Sequence, residues 1–161
     1  MEAAARKLAD RSMTRKELAE WLKKKAYEEE EIDRVLLEFT ELGYLNDARY
    51  CEEYFHYALS RNRAGRRVFA ELKQKGIPAE TIENAYEDFL YENPEYGDET
   101  ARARAEMEKV LRLADLTPED PIPEKIIGRV ARRLTGCGFE TSVIHRVLGE
   151  LKRERTWTGQ C

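Results

Sequence analysis

The sequence predicts an all-α protein built from three tandem three-helix repeats that stack into an elongated, curved array. Residues 22–39, 72–89 and 134–151 match one another in residue character without a gap, and a recurring unit of this size is typical of helical repeat proteins. The few Pro and Gly residues fall between helical patterns rather than inside them. Because a small three-helix unit buries little apolar surface alone, we expect the three units to stack.

Each repeated segment contains a turn between two helices. Ala26, Gly76 and Gly138 stand where the first helix should end in a left-handed residue, a conformation that glycine adopts without strain. The next residue is apolar, and a further apolar residue follows five positions later, which is the spacing of a hydrophobic staple. These pairs are Tyr27 with Ile32, Ile77 with Ile82, and Phe139 with Ile144.

The elements follow in order within predicted repeats of residues 1–45, 46–97 and 98–155. A further helix precedes each pair, at residues 2–9, 47–61 and 99–114. Asn46 and Asp98 are the expected N-caps of the latter two, and Thr14 with Glu17 forms a capping box before the second helix. The third repeat carries a Pro-rich connector at residues 115–124, where three prolines stop a helix. We expect residues 156–161 to form a C-terminal tail.

Composition excludes several classes of function. The net charge of −4 argues against coating nucleic acid through the overall field, so any such contact must be local. The three cysteines are odd in number and lie far apart without a CxxC pair, which indicates neither a disulfide framework nor a zinc site. A reducing cytoplasm fits this usage. Apolar runs stay well below the ~18 residues of a membrane span, so we expect no membrane association.

Local positive charge stands out at residues 61–75, which contain six cations and one acid, whereas residues 76–100 contain eight acids and no Lys or Arg. Arginines near a helix start can bind phosphates or an acidic surface, although a solvated helix face is the simpler alternative. A second, weaker basic group lies near residue 130. The candidates for partner or DNA contact are Arg61, Arg63, Arg66, Arg67, Lys73, Lys75, Arg129, Arg132 and Arg133. Lys23, Lys24 and Lys25 end a helix, where cations favourably meet the dipole.

One face of the helix at residues 47–61 carries Tyr50, Tyr54, Tyr57 and Arg61. Aromatic side chains interleaved with arginine can stack on unpaired bases, which makes Tyr50 and Tyr57 contact candidates. The adjacent stripe has the spacing of a core, and packing accounts for most of this pattern. That stripe comprises Cys51, Tyr54, Phe55, Ala58 and Leu59.

Catalysis finds little support in the sequence. His56 and His145 lie far apart, and neither sits in the spacing of a metal site or a catalytic triad. The acidic run Glu28 to Glu31 suits the first turn of a helix rather than a metal site. We therefore expect no enzyme activity, no cofactor and no metal, and we interpret both histidines as helix-surface or half-buried residues.

Residues 42–77 resemble the central signature of the RecX family. The signature begins with Gly43, Tyr44, Leu45 and Asp47, and it continues with an aromatic helix and a basic motif. That motif places Arg61, Arg63, Gly65, Arg67, Glu71, Leu72, Lys75 and Gly76 at the family's positions. Residues 14–22 and 132–139 also resemble family segments, whereas Ala26 replaces the usual turn glycine and Cys51 a more usual small or apolar residue.

The resemblance implies a modulator, usually an inhibitor, of the RecA recombinase. Members are thought to lie in the groove of the RecA filament on single-stranded DNA, and to limit recombination and the coprotease activity of the SOS response during DNA repair. It implies a monomeric, cytoplasmic protein whose contact with duplex DNA is weak at most. Two alternatives remain from the residues: an autonomous DNA-binding helical-repeat protein, disfavoured by the acids of residues 78–92, and a helical scaffold for another protein partner.

Overall fold

The computed structural model describes residues 1–155, and these residues form nine α-helices and one short 3-10 helix at Pro94–Gly97. The α-helices are α1 Glu2–Asp10, α2 Arg15–Lys24, α3 Glu29–Glu41, α4 Asp47–Leu59, α5 Gly65–Gln74, α6 Ala79–Glu92, α7 Glu99–Leu113, α8 Glu124–Gly136 and α9 Thr141–Glu154. The predicted all-α class is confirmed. The residue boundaries of the three repeats stay predictions, and the tail at residues 156–161 lies outside the described residues.

The helix starts carry the side-chain caps that the sequence indicates. Thr14 and Glu17 form the predicted capping box at the start of α2. Asn46 Oδ1 accepts a hydrogen bond from the Arg49 amide at 3.0 Å, and Asp98 Oδ1 accepts one from the Ala101 amide at 3.0 Å. Since each cap satisfies an amide that lacks a helical partner, these residues fix where the helices begin.

The three turns share one backbone pattern. Ala26, Gly76 and Gly138 have φ angles of 66°, 87° and 91°. In each turn the following amide donates to the carbonyl five residues back, with N···O distances between 3.2 and 3.3 Å. This 6→1 bond belongs to the Schellman motif that ends a helix at a left-handed residue. The predicted turn is therefore confirmed in all three places.

Helix α4 is shorter than the sequence pattern predicts. It ends at Leu59 rather than at residue 61, and Asn62 takes a left-handed conformation with φ 58°. The Arg63 amide donates to the Ala58 carbonyl at 3.2 Å and closes the turn. Asparagine is among the few residues that tolerate this conformation, and it ends the helix without glycine. Smaller differences of one residue occur at the ends of α1 and α7.

The chain divides into two compact units. Unit 1 comprises Met1–His56 and Phe69–Glu92, and unit 2 comprises Tyr57–Val68 and the chain from Asn93 onward. Unit 1 has an apolar core that includes Leu18, Leu22 and Phe39. The core of unit 2 includes Leu111, Val130 and Leu134.

A contact between neighbouring helices recurs in the same register within each unit. In unit 1 the Thr14 hydroxyl donates to the Lys75 carbonyl at 2.7 Å. In unit 2 the Ala64 amide donates to the Cys137 carbonyl at 3.0 Å. Thr14 and Ala64 are equivalent when Leu22 is aligned with Leu72. The two acceptors, Lys75 and Cys137, are equivalent when Leu72 is aligned with Leu134. The repeat in sequence is thus also a repeat in packing.

Side chains cover two of the three turn residues. A Cβ atom on Gly76 would lie 2.5 Å from Lys16 Cβ, and one on Gly138 would lie 2.6 Å from Arg67 Cβ. Such approaches leave no room for a side chain. Ala26 is exposed. Its turn therefore tolerates the alanine that departs from the family pattern.

Two further features concern membrane-spanning helices and the cysteine thiols. Among residues 1–155, no helix is both long enough and apolar enough to cross a membrane. Cys51 and Cys137 are buried and unpaired. Burial, with the nearby Asp47 carboxylate, raises the pKa of the Cys51 thiol to about 11, so this side chain behaves as an apolar core residue.

Candidate functional site

A concave basic pocket lies within unit 2. It has a volume of about 410 Å³, and every charged side chain in its lining is a cation. The lining residues are Arg61, Arg63, Arg67, Lys109, Arg132, Arg133, Gly136 and Cys137. These cations converge although the whole chain carries a net charge of −4. Because like charges repel, such a concentration is stabilised when an anion enters the pocket.

Tyr57 supports two of the pocket arginines. The Arg61 guanidinium lies 4.0 Å from the centre of the Tyr57 ring, and the Arg63 guanidinium lies 5.3 Å from it. Arg61 Nη1 also donates to the Tyr57 carbonyl at 3.2 Å. Stacking on a ring face restrains a guanidinium while leaving edge N–H groups able to donate. Tyr57 thus acts as a platform for Arg61 and Arg63.

Arg66 and Arg67 hold the end of α8. Arg67 donates to the Gly136 carbonyl. Arg66 donates from Nε to the Gly138 carbonyl and from Nη2 to the Phe139 carbonyl, the latter at 3.2 Å. The Gly136 carbonyl lies at the C-terminus of α8, where carbonyls lack helical partners and carry the negative end of the helix dipole, whereas Gly138 and Phe139 belong to the turn that follows. These two arginines therefore have a structural role in addition to the contact role predicted for them.

A buried carboxylate from α7 joins the elements that build the pocket. Glu106 is 1% exposed. It accepts hydrogen bonds from Arg133 Nε at 2.7 Å and from Asn62 Nδ2 at 3.1 Å. Burial opposes the charged form of Glu106, but these hydrogen bonds and the charge of Arg133 prevail and lower its pKa. Glu106 therefore orients Arg133 and anchors the left-handed turn at Asn62.

The change Glu106→Gln should lower the free energy of unfolding by about 1–2 kcal/mol at neutral pH, since glutamine offers one acceptor oxygen to two donors and lacks the charge that attracts Arg133. A lowered pKa in the folded state contributes stability above the unfolded-state pKa, and this stability is lost as pH falls through the folded pKa. The difference between variant and parent should therefore shrink below about pH 4.5. Urea denaturation across pH 3–7 measures it, and a constant difference would contradict this account.

The remaining sequence candidates lie outside the lining of the pocket. Lys73 and Lys75 belong to unit 1, and Lys75 Nζ pairs with Glu17 Oε1 at 3.3 Å. Partial burial opposes the charge of Lys75, but Tyr50 and Glu17 raise its pKa. Tyr50 stacks on Tyr54 with ring centres 6.3 Å apart. Arg129 is exposed on α8 and is not among the lining residues.

Lys109 and Glu106 were not among the predicted site residues. Glu106 stands on the apolar stripe of α7, between Ala103 and Val110. A carboxylate at such a position signals a buried polar contact, because an unpaired charge in a core is costly. Lys109 carries no comparable signal, since an exposed lysine on a charged helix is common.

Neither histidine occupies a site with catalytic geometry. His56 and His145 are exposed, and the His56 ring packs edge-on against Phe89 at 4.7 Å between centres. Within residues 1–155, no group of three or more His, Cys, Asp or Glu side chains could hold a metal ion. The basic pocket is therefore the strongest candidate site, and the charge of its lining suits an anion.

Comparisons with known proteins identify a single family. The family model "RecX, first three-helix domain" matches residues 1–39, and "RecX, second three-helix domain" matches residues 46–85. Regulatory protein RecX of Mycobacterium ulcerans is 32% identical over 153 residues, which cover 93% of this chain and 83% of the relative. The Chlorobaculum tepidum protein of the same name is also 32% identical over 153 residues, with 93% and 89% covered.

Two solved structures share the fold. RecX from Lactobacillus salivarius matches with a TM-score of 0.70 at 21% identity, covering 94% of each chain. A second structure, of regulatory protein RecX, matches with a TM-score of 0.68 at 22% identity and covers 92% of this chain and 70% of the other. These similarities support a helical repeat architecture.

Proposed function

The chain belongs to the RecX family of regulatory proteins, and we propose that it regulates the RecA recombinase by binding the RecA filament on single-stranded DNA. The observation that carries the proposal is the basic pocket of unit 2. Phosphate contacts supply much of the affinity of proteins for nucleic acid, and they come mainly from Arg and Lys side chains. An acidic chain that gathers Arg61, Arg63 and Arg132 in one concavity suits a local contact with a phosphate backbone.

Regulation then requires a protein contact in addition to the DNA contact. We propose that the pocket meets the DNA backbone while other surfaces of the helical repeats contact RecA protomers. A monomer bound in this way in the cytoplasm limits filament growth, strand exchange and coprotease activity, and so restrains the SOS response. Catalysis by this chain plays no part in the proposal.

Autonomous binding to duplex DNA is the alternative that shares the same pocket. A helix that enters the major groove needs cations or polar groups toward the phosphates. Helix α6 follows the turn of the second repeat, and it presents the exposed acids Glu83, Glu87 and Asp88. Phosphates repel such a surface. The alternative is therefore disfavoured, and tight sequence-dependent binding to duplex DNA without RecA would revive it.

The decisive experiment measures the single-stranded-DNA-dependent ATPase of RecA as increasing amounts of the protein are added. We expect the ATPase and strand exchange to fall progressively and to reach a plateau near stoichiometric amounts. Capture of free DNA by the protein must be excluded by repeating the assay with excess single-stranded DNA, and matched amounts of bovine serum albumin control for nonspecific effects of added protein. Unchanged ATPase and strand exchange at stoichiometric excess would contradict the proposal.

A further inference from the structure

A second pocket with basic and aromatic lining lies within unit 1, where α1 meets the end of α2. It has a volume of about 550 Å³. Its lining comprises Ala3, Arg6, Lys7, Asp10, Trp21, Lys25 and Tyr27. The lining thus holds three cations and one acid, Asp10, and Arg6 also pairs with the exposed Glu2 at 2.5 Å. The basic pocket of unit 2 shares none of these residues.

Two lysines converge on the ring of Trp21. Lys7 Nζ and Lys25 Nζ each lie 5.8 Å from the centre of the indole. Trp21 is half-buried and packs against the core of unit 1, which holds the ring in place. Both ammonium groups therefore lie beside one aromatic ring, and an anion bound there would be attracted by both.

The surface around this ring continues the positive charge. Lys23, Lys24 and Lys25 end α2, and all three are exposed together with Ala26. The equivalent carbonyls of the other two turns, at Lys75 and Cys137, accept hydrogen bonds from neighbouring helices. At the remaining turn the Ala26 side chain is exposed, and its neighbours Lys25 and Tyr27 line the pocket that contains Trp21.

The chemistry of the pocket fits a nucleotide better than a carboxylate. A carboxylate of a protein partner would use the lysines and leave the indole unused. A nucleotide uses both, because its phosphate can bind an ammonium group and its base can stack on the aromatic ring. We propose that Trp21, Lys7 and Lys25 form a second nucleic-acid contact that takes one unpaired nucleotide of single-stranded DNA.

The intrinsic fluorescence of Trp21 provides a direct test. The chain has two tryptophans, and Trp157→Phe leaves Trp21 as the single reporter. Titration with oligo-dT of about four nucleotides, the lower end of the site sizes of single-strand binders, should quench Trp21 saturably. RecA is absent, so this result stands apart from the RecA proposal.

Variants separate stacking from charge. Lys7→Gln with Lys25→Gln should weaken the oligo-dT titration about 10-fold, whereas Arg34→Ala with Arg112→Ala should leave it within about 2-fold, since these exposed cations lie outside both pockets. Trp21→Ala should reduce affinity about 5- to 150-fold, measured with labelled oligo-dT. Trp21→Phe retains a ring for the core and should lose less.

Three outcomes would overturn the proposal. The first is an absence of quenching at the highest oligo-dT concentration that can be reached. The second is quenching that the two lysine substitutions leave unchanged. The third is equal binding of a short poly-Glu peptide, which would assign the pocket to an acidic protein segment. Replacement of Arg61, Arg63 and Arg132 by alanine should leave the quenching by this short oligonucleotide intact, which distinguishes this site from the basic pocket.

Discussion

Replacing Arg61, Arg63 and Arg132 with alanine is expected to lower the affinity for long single-stranded DNA about 100-fold at ~0.1 M salt. Each phosphate contact on a single strand contributes about 0.7 to the slope of log K against log salt concentration, so three lost contacts should reduce the slope by about 2. The same variant should lose most of its effect on the RecA ATPase. Fluorescence anisotropy over a salt series measures the affinity and the slope together.

The control for this variant removes the same charge elsewhere. Arg34, Arg112 and Arg146 are exposed and lie outside the lining of the basic pocket, and their replacement by alanine should change affinity by less than about 5-fold through the overall field. Equal losses in both triple variants would contradict a specific role for the pocket. Circular dichroism establishes that both variants are folded before affinities are compared.

Arg66 and Arg67 are left unchanged in that experiment for a structural reason. Arg67 donates to a carbonyl at the end of α8, and Arg66 donates to two carbonyls of the turn that follows. Their removal would leave these carbonyls without these partners and would lower stability together with positive charge. A variant that lacks all four arginines of residues 61–67 could not separate binding from folding.

Most of the fold could be predicted from the sequence because the repeat fixes the same local chemistry three times. Thr14 and Asp98 offer side-chain caps, and the turns at Gly76 and Gly138 require a left-handed residue. These signals are local, and tertiary packing agrees with them. The end of α4 was not predicted correctly. Asn62 takes a left-handed conformation that ends the helix, although the charged residues after it continue the pattern of a helix.

The site was harder to predict because it depends on contacts distant in sequence. The basic run of residues 61–75 looks uniform in sequence, yet Arg61 and Arg63 line the pocket while Arg66 binds carbonyls of the turn after α8. Lys73 and Lys75 belong to the other compact unit. Spacing along one helix cannot separate these roles, because the partners come from elsewhere in the chain. Glu106 lies on α7, and the partner carbonyls lie on α8 and on the turn that follows it.

The turn residues give the second large prediction, in which reverse substitutions at two equivalent turns change stability in opposite directions. Gly76→Ala is expected to lower the free energy of unfolding by about 2–4 kcal/mol. Its φ of 87° is costly for any residue with a Cβ atom. The added methyl group would also collide with the side chain of Lys16, whose Cβ lies 2.5 Å from the new atom. Urea denaturation with an unchanged m-value measures the loss.

Ala26→Gly at the equivalent turn should instead raise the free energy of unfolding, by about 0.5–1 kcal/mol. Ala26 has a φ of 66° and is exposed, so glycine relieves backbone strain without removing a packed side chain. The greater freedom of glycine in the unfolded chain offsets part of this gain. Lys16→Ala combined with Gly76→Ala should recover part of the loss at Gly76, because the colliding atoms beyond Cβ are gone. If Gly76→Ala cost no more than the strain of a left-handed alanine, Lys16 would have moved aside at little cost, and close packing would not be what requires glycine at this turn. The expected excess, and its partial recovery in the double variant, would show that glycine is required where another helix packs on the turn and is dispensable where none does.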